Sequence, residues 1–440
     1  MLSTFEGTFF TGSKEELLEA KKELTITPYS SFSEAPSTPF PIYKENKDLR
    51  VPLHWAIDKG CVQFPPEQRV RLSFQGSLDP ARGQVEDAET IIKTLQENRG
   101  CIHVAACGFG KTTLTLYVLA KLQLKAIVVV NKGFLLEQWK DRIALHLPGA
   151  RVGTLTAGKA QGCEEADIIL ATVQTLAKHQ LKSKVSMLVV DEAHLMCTRV
   201  FASALLNVGF CYSLGLSATP SRTDGCWHVI ELFLGKPATK RERSLGGMDI
   251  KIVSCDTSYV RERLLRNGKV DFTNLLEQIT TNPARTRKIA ECITGLLKDD
   301  HNILVLSDRR AHLQEVEALL LAMGVSGEDI GYYVGGRTQE QLEEAASCSV
   351  ILGTYSMAST GLDIPSLTCL VMASPRSSIL QSLGRVQRNL GGRRPLVVDF
   401  SDQVSVLKAQ ASRRRALYKK QGWTLCIETK PVGHSYGVLV

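Results

Sequence analysis

The chain has 440 residues, 44% of them hydrophobic and 22% charged, which excludes fibrous and mostly disordered proteins. At about 150 residues per domain it holds roughly three units, or two large ones with appendages. Its 53 Lys+Arg against 45 Asp+Glu leave a net charge of +8, which permits a polyanionic partner without requiring one. No apolar run approaches the ~18 residues of a membrane helix. Residues 1–14 lack a basic segment followed by an apolar one, so no membrane partner and an intracellular, non-secreted location are expected.

Residues 1–75 read as an irregular N-terminal segment, because Pro28, Pro36, Pro39, Pro41 and Pro52 exclude a long helix in its later part. Helical spacing begins at Gln84, with Val85, Ala88, Ile91, Ile92 and Leu95 on one face. Short apolar runs then alternate with helical stretches at 101–106, 126–130, 167–171, 187–190 and 212–216. Fully apolar strands of that length belong to parallel sheets covered on both faces. Residues 241–282 read as a charge-rich connection. A second alternating set follows at 303–306, 332–334, 350–353, 370–373 and 396–398. The expected class is α/β with parallel sheets, in two domains at 76–240 and 283–403. No element that could separate paired strands stands out.

Residues 404–440 form a basic extension, expected to begin as a helix and end as a tail. From 403 onward there are seven basic residues (Lys408, Arg413, Arg414, Arg415, Lys419, Lys420 and Lys430) against Glu428, so most of the net charge lies there. It is either a solvated helix or a grip on a nucleic-acid backbone. The twelve cysteines include no C-x-x-C pair and no accompanying zinc pattern, so buried free thiols in a reducing compartment are expected.

The chemistry centres on Ala105-Ala106-Cys107-Gly108-Phe109-Gly110-Lys111-Thr112, followed by Thr113, between an apolar strand and a helix. Backbone N–H groups of such a loop face phosphate oxygens, and glycines permit close approach. Lys111 would reach the β- and γ-phosphates, and the Thr112 hydroxyl would ligand Mg²⁺. Ala105 stands where the strict pattern has its first glycine. Asp191-Glu192-Ala193-His194 ends a second apolar strand. Asp191 is placed for Mg²⁺, and Glu192 for orienting or deprotonating an attacking water.

These segments, with Ser217-Ala218-Thr219-Pro220, resemble motifs I, II and III of superfamily 2 helicases, DEAH-type in motif II. The run from Gly353 to Pro365 resembles motif V, Gln381-Ser382-Leu383-Gly384-Arg385-Val386-Gln387-Arg388 resembles motif VI, residues 302–313 resemble motif IV, and residues 134–139 resemble motif Ia. Arg82 and Gln84 lie in a segment similar to the adenine-reading one. The pattern is similar to XPB-like and UvsW-like DNA helicases, and most of all to those of large cytoplasmic DNA viruses, including the poxvirus transcript-release helicase. Asn131-Lys132 departs from the Pro-Thr common at motif Ia, and Thr360 stands where viral relatives often carry Glu.

The resemblance implies two RecA-like domains, ATP and Mg²⁺ as cofactors, and a nucleic-acid partner, DNA favoured over RNA, within transcription or replication machinery. A viral protein of this kind would work in the host cytoplasm, nucleus or virion. It assigns adenine contact to Gln84 and Arg82, charge neutralisation on the γ-phosphoryl group to Arg385 and Arg388, and water or γ-phosphate placement to Gln381. Ser217, Ala218 and Thr219 would couple hydrolysis to strand contacts, and Gly361 and Asp363 would sense nucleotide. Thr172 and Thr354 would touch the phosphate backbone, although a threonine at a strand end also caps helices. The implied activity is an ATP-dependent DNA helicase or translocase. An RNA helicase, a non-catalytic ATP-gated clamp and the motor subunit of a nuclease are the alternatives.

Overall fold

The computed structural model describes residues 2–4, 7–28, 38–45, 48–60, 62–106, 108–156, 158–195, 197–219, 225–241, 247–266, 268–359, 364, 366–376, 379–383, 394–428 and 438–439. The chain divides into two compact units, Met1–Arg243 and Ser244–Val440.

The first unit is built on an eight-stranded sheet. From one edge its strands are Lys159–Gln161, Val152–Thr156, Ile168–Thr172, Ala126–Val130, Met187–Val190, Tyr212–Ser217, Gly100–Ala105 and Pro237–Arg241. All neighbours are parallel except the hairpin pair at the first edge. Alternation along each strand splits the apolar residues between two cores. Ile102, Val104, Ile127, Val129, Leu188 and Val190 face one side, and Cys101, Ala126, Val128, Val130, Met187 and Val189 face the other. Both faces are dry, which is why these strands read as unbroken apolar runs.

The N-terminal segment is more ordered than its prolines suggest. Leu2–Thr4, Gly7–Phe10, Leu49–Arg50 and Lys44–Glu45 form a small antiparallel sheet. Helix Lys14–Glu23 starts on a Ser13/Glu16 capping box. Leu24, Ile42, Trp55 and Ala56 are buried in the same core as the large sheet. His54 Nε2 lies 3.0 Å from Ser213 Oγ. A Cβ at Gly100 would collide with both groups, so only glycine lets the segment dock there. Pro41 lies within a strand and Pro52 caps the start of helix Leu53–Asp58, and the packing partner Ser213 lies more than 100 residues away.

The second unit has its own eight-stranded sheet, in the order Ile330–Tyr333, Val350–Thr354, Ile303–Ser307, Cys369–Met372, Leu396–Asp402, Asp249–Cys255, Thr424–Glu428 and Val438–Leu439. Only the last pair is antiparallel. Two expectations change here. Part of the connection, Asp249–Cys255, is an interior strand, paired on both sides. Asp249 and Lys251 interrupt its apolar run and hide it from a search for continuous hydrophobicity. The expected tail also contributes a strand, Thr424–Glu428, after helix Ser405–Lys420.

That helix does not present all its charge to water. Arg414 is buried and donates twice to Asp399, at 2.8 Å each, while Tyr418 donates to the same carboxylate at 2.9 Å. The ten described cysteines are free thiols, seven of them buried. Cys61 and Cys107 lie outside the described residues. Among the described residues no helix is long and apolar enough to cross a membrane.

Candidate nucleotide site

The strands Met187–Val190, Tyr212–Ser217 and Gly100–Ala105 are consecutive parallel neighbours. Their C-terminal ends therefore release the Asp191-Glu192 segment, the Ser217-Ala218-Thr219 segment and the phosphate loop along one edge. Ligands of open α/β sheets bind at this edge. Gly110 turns the loop into helix Lys111–Leu122 at φ 97°, where a side chain would be strained and would strike Gln84. The Lys111 ammonium donates to the Ala105 carbonyl at 2.9 Å, so it lies over the loop it would serve. Arg82 donates to Gly108 O at 3.2 Å. Gln84 donates to Phe109 O and accepts from Asp79 N at 2.7 Å, so both expected adenine contacts hold the loop itself. The Thr113 hydroxyl meets His146 Nε2 at 3.2 Å, toward the neighbouring helix Phe134–His146.

Asp191 is half-buried. Its Oδ2 accepts from Trp139 Nε1 at 3.0 Å and its Oδ1 from the Glu192 backbone at 2.9 Å. Burial, then the neighbouring Glu192 charge, pushes its carboxyl up to about 6, with Trp139 and Lys111 opposing. Glu192 sits in the left-handed region at φ 49°, and its buried Oε2 has no hydrogen-bond partner among the described residues. That oxygen lies 3.4 Å from His194 Nδ1, which lies 3.1 Å from Ser217 Oγ; Ser217 Oγ in turn donates to Thr219 O at 2.6 Å. Two adjacent carboxylates, one of them unsatisfied and one reluctant to ionise, fit a site completed by a cation.

Residues 77–222 match the family described as the type III restriction enzyme res subunit. Over 437 residues it is 29% identical to a provisionally named ATP-dependent RNA helicase of Acanthamoeba polyphaga mimivirus, covering 93% of this chain and 83% of that protein. It is also 29% identical to a provisionally named helicase of frog virus 3, over 85% of this chain and 82% of the relative. A provisionally named RNA helicase of African swine fever virus is 26% identical over 72% and 68% of the two chains. Among solved structures, a fragment of an HsdR subunit of a type I restriction enzyme from Vibrio vulnificus aligns at TM-score 0.56 and 15% identity, over 78% of this chain and 68% of that one. Yeast Dbp5 bound to RNA and ADP-BeF3 aligns at TM-score 0.55 and 13% identity, over 80% and 94%. These two likenesses carry the fold, which is RecA-like.

Several predicted helicase residues take positions worth separating. Thr172 caps helix Val173–Lys178, accepting from Thr175 N, and its hydroxyl meets that of Thr175 at 2.9 Å. Thr354 Oγ1 lies 3.3 Å from Ser356 Oγ. Ala218 lies between the two bonded residues of its segment. Cys107, Gly361, Asp363, Arg385 and Arg388 lie outside the described residues, and Gln381 lies on the short helix Leu380–Leu383.

Sequence reasoning missed Trp139, although an indole N–H must find an acceptor once buried. It also missed a brace behind the loop. His103 is fully buried, with Nδ1 2.6 Å from Thr239 Oγ1. Arg241 donates to Asp87 at 2.9 Å and to Glu86, fixing the start of helix Gln84–Asn98. Partners 154 residues apart leave no local signal.

Proposed function

We propose that the protein is an ATP-dependent DNA helicase or translocase of the DEAH type, related to the XPB-like and large-DNA-virus enzymes, with a role in viral transcription or DNA metabolism. The observation that carries this is the shared sheet edge, where Lys111, Asp191, Glu192 and Ser217 leave three adjacent parallel strands. Nucleotide binds the first unit. Lys111 exchanges its carbonyl partner for phosphate oxygens, and Thr112 with Asp191 holds Mg²⁺, which would supply charge neutralisation at the phosphates. Glu192, with its open oxygen, orients or deprotonates the water. The resemblance assigns neutralisation of charge on the γ-phosphoryl group to Arg385 and Arg388, placement of water or γ-phosphate to Gln381, and sensing of nucleotide state to Gly361 and Asp363.

The His194–Ser217 contact supports a coupling role for the Ser217–Thr219 segment. A shift of Glu192 on hydrolysis reaches Ser217 through one imidazole. RNA is the second reading, favoured by the RNA-helicase names of the mimivirus and African swine fever virus relatives. The test is ATP hydrolysis with single-stranded DNA, duplex DNA and RNA, for wild type and Lys111→Ala. Stimulation by DNA above RNA, abolished in the variant, is expected. The reverse preference selects the RNA reading, and no stimulation by any of the three overturns both.

A further inference from the structure

Residues 261–266 and 268–271 of the second unit, Arg-Glu-Arg-Leu-Leu-Arg and Gly-Lys-Val-Asp, form a small two-stranded arm. Leu264 pairs antiparallel with Val270, Leu265 N donates to Lys269 O at 2.7 Å, and Asp271 N donates to Arg263 O at 2.7 Å. Gly268, at φ 76°, takes the left-handed position at the tip. The root is fixed. Gln278 bonds both the N–H and the carbonyl of Arg261, at 2.9 and 2.8 Å. Val260, Leu275, Ile279 and Leu407 form a satellite core beneath it, tying the arm to the start of the basic helix Ser405–Lys420.

Successive side chains of a strand point to opposite faces. A strand lying on the body would therefore bury every second residue. Here residues 261–266 are exposed without interruption, so both faces of the first strand meet solvent, while Lys269, Val270 and Asp271 of the returning strand are half-buried. Its two consecutive leucines are 61% and 46% exposed, and Phe272 at its foot is 38% exposed. Arg263 and Arg266 flank the leucines and make no ion pair among the described residues. Asp271 is occupied in capping helix Phe272–Thr280. The arm thus presents an apolar tip between guanidinium groups. Apolar side chains inserted between bases, with cations on the flanking phosphates, are a recurring way of unstacking a duplex.

We propose that this arm is a nucleic-acid wedge: Leu264 and Leu265 pack against bases at a junction of single and double strand, while Arg263 and Arg266 hold the adjoining phosphates. The inference rests on the proposed motor function and adds to it the element that engages paired strands. Its occupant is nucleic acid because Arg261, Arg263, Arg266 and Lys269 outnumber Glu262 and Asp271 along the arm, with Arg263 and Arg266 directly beside the leucines.

The test uses the full chain on forked duplexes of DNA and of RNA, with 2-aminopurine at the junction. Wild type should raise the probe's fluorescence several-fold on binding. Leu264→Ala/Leu265→Ala should lose most of that rise while keeping its melting temperature and its single-strand-stimulated hydrolysis. Arg263→Ala/Arg266→Ala should weaken fork binding and reduce the slope of log K against log salt by about 1.5, at roughly 0.7–0.9 per phosphate contact. An unchanged signal in the leucine variant, with stimulated hydrolysis intact, overturns the wedge and leaves the arm as a protein-docking surface. Loss of stimulated hydrolysis by every nucleic acid in wild type overturns the motor reading instead.

Discussion

The two large sheets are alike in strand number and direction, yet two buried ion pairs of the second contrast with the carboxylates at one strand end of the first. In the second unit, Arg285 is enclosed and donates to both oxygens of Asp402, at 2.9 and 3.0 Å, and to Ala373 O. Arg414 and Asp399 repeat the arrangement, with Tyr418 as a third donor. In the first unit, Asp191 is half-buried and meets no cation at hydrogen-bonding distance among the described residues, and Glu192 keeps a buried oxygen without a hydrogen bond among them. Satisfied buried charge is scaffold, because each group already has a fixed partner. Unsatisfied buried charge leaves a role for a ligand.

The contrast can be broken first where the expected effect is largest. Arg285→Ala strands a buried carboxylate and should cost about 3–5 kcal/mol in denaturant unfolding, whereas Arg285→Met/Asp402→Leu should recover most of it. Asp191→Asn should do the reverse, abolishing hydrolysis while stabilising the ligand-free protein by about 1–3 kcal/mol at pH 7. The sign follows from the raised carboxyl. At pH 7 the group is ionised in both folded and unfolded chains, and the folded state carries the penalty. As pH falls through about 6 the folded protein takes up the proton first, so the gap to the variant should close by pH 4. Equal stability at both pH values would remove Asp191 from the unsatisfied class.

Ser217→Ala deletes the hydroxyl that joins His194 to Thr219, a loss of about 1 kcal/mol. It should lower nucleic-acid-stimulated hydrolysis roughly fivefold and leave the unstimulated rate nearly unchanged. The smallest effect sharpens the boundary between scaffold and contact. Thr172→Ala should cost up to about 1 kcal/mol of stability as a lost cap, with nucleic-acid affinity unchanged. A uniform fall in affinity would restore the backbone-contact role.

Much of this was legible in the linear chain. The central parallel strands announce themselves because both faces are dry, so most of their residues are apolar. The phosphate loop and the Asp191-Glu192 pair are local chemistry, written in adjacent residues. Asp249–Cys255 was not legible, since alternating polar residues broke its run, and the ordered N-terminal segment was masked by prolines that only punctuate it. The basic C-terminal count misled in one respect: Arg414 contributes to the net charge of +8 but spends it internally on Asp399.

What the sequence by itself determined is the class of fold and where the candidate phosphate loop and carboxylate pair lie, because strand periodicity and loop chemistry depend on neighbours within a few residues. Only the tertiary structure decided which groups share an edge, which carboxylate keeps a free oxygen, that Trp139 holds Asp191 and that Arg241 braces Asp87. Those outcomes depend on strand order and burial. Both arise when segments far apart in the chain exclude water together, and no local pattern records them.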